Sequence, residues 1–201
     1  MEDRTLLAET WPLFGLEVRT PRLVLRLPTD AELVALAGLT GDIHDPDRLP
    51  FVTPWSLAPD VERERGTLQF HWLQRALWSP TSWQLLLVTV VDGEIVGTQG
   101  LVGDQFPVRR TVSSGSWLHR PRQGEGIGTE MREAILHLAF AGLGADRAET
   151  CAFTHNVASQ RVSEKAGYAR DGEAVVAVDG RREREVRYAL DRSRWEGRRR
   201  D

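Results

Sequence analysis

The stretch Gln123-Gly124-Glu125-Gly126-Ile127-Gly128-Thr129 constrains this chain more than any other, because it joins a strand expected over Thr111 to Leu118 directly to a strongly periodic helix. Glycines at such a junction let the backbone turn sharply, and the free amides at the start of the helix then converge on an anion. A pyrophosphate fits that description; a plain strand-to-helix turn is the alternative. The helix carries Met131, Ile135, Leu138 and Ala139 on one stripe, as expected of a helix packed on a sheet, and stops in the Gly142 to Gly144 region. Ala148 to Thr154 then reads as a strand, Asn156 to Ala166 as a helix that Gly167 terminates, and a new strand begins near Tyr168. Strands and helices in alternation imply an α/β fold.

The preceding residues extend the same plan without a domain boundary. Thr29-x-x-Glu32 is a capping box for a helix through about Leu39. Gly41 to Pro59 is turn-rich, broken by Pro46, Pro50, Pro54 and Pro59, and a helix near Asp60 to Leu77 should place Leu68, Trp72, Ala76 and Leu77 on one face. Trp83 to Val91 reads as a buried strand, and Asp92-Gly93 as the hairpin turn into Glu94 to Val102.

Composition excludes several classes. A length of 201 residues, 41% hydrophobic with 18 glycines, is ample for one globular domain with a substantial core. The net charge of −3 argues against a nucleic-acid binder, and the basic run Arg198-Arg199-Arg200 reads as a frayed, solvated tail. One cysteine, Cys151, excludes an internal disulfide framework, and its place inside a strand marks it as a packing residue. No long apolar span or leader is visible and the histidines are scattered, so we expect a cytoplasmic protein without membrane contact or a metal site. A nicotinamide dehydrogenase is disfavoured, since Gly124-x-Gly126-x-Gly128 is not Gly-x-Gly-x-x-Gly and lies late in the chain.

The series Gln123-x-x-Gly126-x-Gly128, then Asn156, Ser159 and Ser163-Glu164-Lys165-Ala166-Gly167-Tyr168, resembles the GCN5-related N-acetyltransferase (GNAT) superfamily, specifically its RimJ/RimL-like branch. Thr20-Pro21-Arg22-Leu23-Val24-Leu25-Arg26 resembles the first strand of that branch, and the likeness spans about residues 18 to 190. The resemblance implies a single-domain fold with a mixed central sheet, splayed where acyl-CoA binds and flanked by helices. It divides the chain into an N-terminal extension (1–17), the acyltransferase domain (18–190) and a basic tail (191–201). It further implies acetyl-CoA as co-substrate, a primary amine of a small molecule or protein N-terminus as acceptor, no nucleic-acid partner and, as is common in the branch, a homodimer.

Site residues follow by matching. Backbone at Leu118 and Arg120 is implied to pair with pantetheine, and the amides of Gln123, Gly124, Gly126, Ile127, Gly128 and Thr129 to hold the pyrophosphate. Asn156 matches the residue bonded to the cofactor arm, with Ser159 one turn on; as bare residues they read as a helix cap and a solvated hydroxyl. Alignment of amine and thioester can itself lower the barrier by about 7–11 kcal/mol. The amine must be neutral, and a lysine with pKa about 10.4 is neutral only about one part in 10³ at pH 7, which favours an α-amine. No base is evident: the branch often has a Glu near the strand that here reads Ser113 to Leu118, leaving His119 as the candidate, with an exposed histidine as the alternative. Ser163 stands where other members carry the Tyr that protonates the leaving thiolate, or else only packs a helix. Acceptor choice is expected from the Gly41 to Trp55 loop, where His44, Asp45, Phe51 and Trp55 supply aromatic walls and charge. A silent acyl-CoA-binding sensor or scaffold, and a larger donor such as succinyl-CoA, stay open.

Overall fold

Alternation of large apolar residues builds a sheet with two covered faces. In β2 (Leu23–Arg26) and β3 (Trp83–Val91), Leu23, Leu25, Leu85 and Leu87 face one core while Val24, Val88 and Val90 face the other. The computed structural model describes residues 4–198. The other strands are β1 (Glu17–Arg19), β4 (Glu94–Gly103), β5 (Thr111–Leu118), β6 (Arg147–Phe153), β7 (Ala169–Val178) and β8 (Arg181–Asp191), in the spatial order β1-β2-β3-β4-β5-β6-β8-β7. Every neighbouring pair is antiparallel except β5 and β6. That parallel pair registers only Thr111 with Arg147, Val112 with Ala148 and Ser113 with Glu149, after which the two strands part. The mixed, splayed α/β sheet implied by the sequence is present.

Helix α1 (Arg4–Thr10) precedes β1, and the Arg4 guanidinium donates to the carbonyls of Phe14 and Leu27 and pairs with Glu32 at 2.7 Å. Helix α2 (Asp30–Gly38) has the expected capping box: Thr29 Oγ1 accepts from the Glu32 amide, and Glu32 accepts from the Thr29 amide. Such a cap contributes about 1 kcal/mol. Helix α2, with Leu33 and Leu36 fully buried, and α3 (Asp60–Ala76) cover one sheet face. The other face receives, after short α4 (Phe106–Arg109), helix α5 (Ile127–His137), which continues through a wider π-type turn to Gly142. Helices α6 (Val157–Lys165) and α7 (Arg192–Arg198) complete the described chain.

Three local expectations change. The segment Thr20 to Arg26 is not one strand, because Pro21 removes an amide and Thr20 closes a turn to Leu23, its amide donating to the Leu23 carbonyl. On α3 the buried residues are Thr67 and His71, whereas Trp72 and Leu77 are exposed; the true face lies one residue out of phase, with Trp72 donating its indole N–H to Asp30 at the rim. Residues 192–198 form a helix instead of a frayed tail, since Trp195 packs against Phe140 with ring centroids 5.1 Å apart; Arg199 and Arg200 lie outside the described residues.

His71 has a measurable consequence. Burial, helped by the nearby Arg75 charge, pushes its pKa down from 6.5 to about 4. The unfolded chain therefore binds more protons than the folded one between these values, so stability is complete above about pH 6.5 and falls as pH drops toward 4. The loss should reach about 3 kcal/mol. Urea unfolding of wild type and His71→Leu at pH 7 and pH 4.5 checks this: the variant should show the smaller acid-dependent loss. Equal losses would show that other groups set the acid sensitivity.

Candidate active site

Two left-handed glycines shape the loop between β5 and α5. Gly124 and Gly126 both have φ +83°, a conformation a side chain disfavours, and Gly126 is the N-terminal cap residue of α5 without any side-chain cap. The amides of Gly124, Glu125 and Gly126 donate to no described group, so the turn presents them with the open end of α5. Gly128 lies where a Cβ would touch Val162 at 3.5 Å and Leu118 at 3.8 Å, which lets the helix start close to both α6 and β5. Beside the loop is a cavity of about 550 Å³ lined by Thr20, Arg22, Gly126, Thr129, Glu130 and Glu133, among others.

Arg22 is a cationic group that reaches this loop from the residue before β2, and the sequence reading missed it as a site residue. Its guanidinium pairs with Glu130 at 2.5 Å and donates to the Glu125 carbonyl at 3.2 Å. Burial works to raise the Glu130 pKa, but the hydrogen bonds from Thr20 and Arg22 outweigh it and hold the carboxyl below the usual range. Together, open amides and a guanidinium suit a phosphate, as the glycine pattern indicates.

Next to the loop lies the gap between β5 and β6. Thr150 donates its hydroxyl to the Ser114 carbonyl at 2.9 Å, so the Ser114 backbone faces β6; by alternation the backbone of Ser116 and Leu118 faces the same way, beyond the last β5–β6 pair. Ser116, absent from the sequence-derived candidates, thus presents strand edge to the gap. Arg120 does not: its amide donates to Asp42 and its carbonyl accepts from Gln123. The Gln123 side chain braces the corner, donating to the carbonyls of Ile43 and Leu118 at 2.8 Å each.

On the opposite sheet face, the loop before α3 forms an aromatic chain. His44, Phe51, Trp55 and Trp117 follow one another with ring centroids 5.8, 5.1 and 6.2 Å apart, and Trp117 belongs to β5 itself. His44 is fixed by contacts of 2.8 Å to the Asp45 carbonyl and the Ser56 hydroxyl. Arg120 claims the nearby acids, bonding Asp42 at 2.8 Å and Asp45 at 2.7 Å. Asp42 also lies 3.7 Å from His119 Nε2, so both carboxylates serve an internal network at the end of β5. Adjoining the loop is a cavity of about 780 Å³ whose wall includes Asp47, Leu49, Phe153, His155, Asp179 and Glu183.

The remaining candidates sit on or near α6. Asn156 caps it, its Oδ1 accepting from the Ser159 amide at 3.1 Å, and both residues are half-buried. Ser163 is 0% exposed, and its hydroxyl donates to the Ser159 carbonyl at 3.1 Å. Cys151 is exposed, which corrects the packing expectation: it alternates along β6 with the buried Thr150 and Ala152 and so lies on the strand's other face. Desolvation by its surroundings and then the Glu185 carboxylate push its pKa to about 11, so the thiol stays protonated. Among the described residues no cluster of His, Cys, Asp or Glu could hold a metal, and no helix is long and apolar enough to cross a membrane.

Residues 22–169 match the family model described as the acetyltransferase (GNAT) domain. YdaF of Bacillus subtilis, named as a ribosomal N-acetyltransferase, is 32% identical over 109 residues, covering 53% of this chain and 58% of that protein. The chain thus spans less than two thirds of that relative's length. Among solved structures, RimJ of Mycobacterium smegmatis in complex with a CoA disulfide superposes with a TM-score of 0.72 at 19% identity, covering 89% of this chain and 87% of that one. RimL, the ribosomal L7/L12 α-N-protein acetyltransferase in complex with coenzyme A, gives 0.70 at 18% identity, with coverages of 88% and 98%.

Proposed function

The chain belongs to the acetyltransferase (GNAT) domain family, and from that premise we propose that it is an acyl-CoA-dependent N-acyltransferase that moves an acyl group, acetyl in the simplest case, to a primary amine. The observation that carries the reading is the conjunction at one end of β5: open amides and Arg22 at the start of α5, beside a strand edge left unpaired by the parting of β5 and β6. The loop and Arg22 receive the pyrophosphate, and the backbone of Ser116 and Leu118 pairs with the pantetheine arm as a missing strand would. Asn156 has an amide nitrogen left to offer that arm.

The acceptor enters from the other face, along the wall of Phe51, Trp55 and Trp117. Its nitrogen attacks the thioester carbonyl carbon; the C–N bond forms, the C–S bond breaks, and the amine's proton is lost as coenzyme A takes one up. His119, held near Asp42, is our candidate to accept that proton, acting on an α-amine or small-molecule amine. For Ser163 to protonate the thiolate it must release the Ser159 carbonyl in a fully buried position, where nothing repays that bond, so we assign the proton to solvent. We place this activity in a cytoplasmic enzyme, a homodimer by its resemblance to the RimJ/RimL-like branch.

Turnover of acetyl-CoA against a panel of α-amino peptides and small amines, followed by thiol release, tests the reading. Release that depends on one class of amine supports it, whereas tight coenzyme A binding without turnover of any acyl-CoA would favour a silent binding module, a reading to which the lack of a carboxylate in Ser113 to Leu118 lends weight. Once an acceptor is known, Trp55→Ala should raise its KM about tenfold with coenzyme A affinity unchanged, since a good aromatic contact and its burial are worth about 1–2 kcal/mol. Equal damage to both ligands would assign Trp55 to folding alone.

A further inference from the structure

Arg132 is charged, buried and without an anion. It lies on α5 at 2% exposure, and its head spans the gap between the parting strands: Nη1 donates to Thr150 Oγ1 on β6 and Nη2 to Ser116 Oγ on β5, each at 3.1 Å. Its Nε has no partner. No carboxylate among the described residues pairs with it; its surroundings are the hydroxyls of Ser116, Thr150, Ser114 and Tyr168, the last two 3.1 Å apart. A guanidinium cannot shed its proton, and burying one against neutral oxygens alone leaves most of its desolvation cost uncompensated.

We propose that Arg132 binds a carboxylate at the far end of the donor's acyl chain, so that the enzyme prefers a dicarboxylic acyl-CoA, such as succinyl-CoA, to a neutral acyl-CoA. The inference rests on the reading of the β5–β6 gap as the acyl-CoA site. Within that site the phosphates belong at the start of α5 and the pantetheine arm is uncharged, which leaves the acyl terminus as the donor's anionic group in reach of the gap. Ser116 couples the two roles, since its backbone edges the gap and its hydroxyl accepts from Arg132. In the transfer, the amine nitrogen bonds to the thioester carbonyl carbon, the C–S bond breaks, the amine's surplus proton passes to the base, coenzyme A departs as the thiol with a proton from solvent, and the carboxylate stays unchanged on the new amide.

The test compares two thioesters of equal carbon count, succinyl-CoA and butyryl-CoA, with coenzyme A itself as reference, by titration calorimetry. A hydrogen-bonded charge pair of this kind should make succinyl-CoA bind about ten- to hundredfold tighter than butyryl-CoA. Arg132→Met should abolish the ratio while coenzyme A affinity persists, and Arg132→Lys, which keeps the charge if the apolar variant folds poorly, should retain part of it. Equal binding of the two thioesters to a wild type that binds coenzyme A would overturn the proposal and leave the acyl-CoA site standing. A preference that survives in Arg132→Met overturns it too, as does an equal fall in kcat for acetyl- and succinyl-CoA with no change in relative binding, the mark of a group serving the transition-state oxyanion. Failure of coenzyme A to bind the wild type removes the underlying site and the proposal with it.

Discussion

Gly126→Glu is expected to abolish coenzyme A binding while leaving the fold in place. At φ +83° the substituted residue carries the cost of a left-handed backbone, about 1–2 kcal/mol, which a domain of this size survives. Space is not the obstacle: a Cβ at this position meets only Arg22 Nη2, at 3.5 Å. The carboxylate then sits against the guanidinium and the open amides of the loop, where it replaces the phosphate with an internal anion. Losing charge-assisted hydrogen bonds of about 1.5–3 kcal/mol each, with a like charge added, should weaken binding more than about a hundredfold. Gly126→Ala separates the causes, since it shares the backbone cost without the charge and should lose far less. Calorimetry decides the matter, and unchanged affinity in a folded Gly126→Glu protein would remove the phosphate assignment.

What could be read from the chain was local. Trp83–Val91 and Thr111–Leu118 are strands over the expected residues, and Asp92 and Gly93 both take the positive φ that their hairpin turn requires, because alternation and turn chemistry act within a few residues. The stripe Met131, Ile135, Leu138 and Ala139 is buried throughout. The candidate site is marked in the sequence by its glycine spacing, and not where it depends on distant partners. Arg22 reaches Glu130 across 108 positions and Gln123 reaches Ile43 across 80, and no periodicity reports either contact. The acids of the Gly41 to Trp55 loop looked free to attract an ammonium because Arg120, which claims Asp42 and Asp45, lies in a different element. Nothing in the sequence singles out Arg132: charge normally marks the solvated side of a helix, and only the packed sheet shows this one turned inward. On α3 the polar burial of Thr67 and His71 defeated a reading that weighs apolar side chains alone.

Gly97→Ala should have the largest effect on stability of any single methyl added at a glycine of this sheet, and it should reach the candidate site. Gly97 of β4 stands opposite Leu118 of β5, and a Cβ there would lie 2.2 Å from the Trp117 carbonyl oxygen and 2.9 Å from Leu118 Cα. Both are backbone atoms, so no rotamer change relieves the overlap and β5 must lift from β4. The strand cannot do so freely. Trp117 packs on Trp55 in the aromatic wall proposed for the acceptor, and the Leu118 carbonyl is held by Gln123 at the corner that leads into the glycine loop. Overpacking in a dense interior costs about 1–3 kcal/mol, more where backbone must move, which for a chain of this length corresponds to a fall in Tm of roughly 2–12 °C. Displacement of Leu118 should also weaken coenzyme A binding, an effect that destabilisation alone does not produce at a temperature where the protein stays folded. Gly115→Ala is the matched control in β5, since its Cβ meets nothing within 4 Å, and its stability should stay within about 0.5 kcal/mol of wild type. A Gly97→Ala protein with wild-type Tm and wild-type coenzyme A affinity would mean that the end of β5 is free to shift, and the strand edge at Ser116 and Leu118 could then not be the fixed surface on which the cofactor arm is aligned.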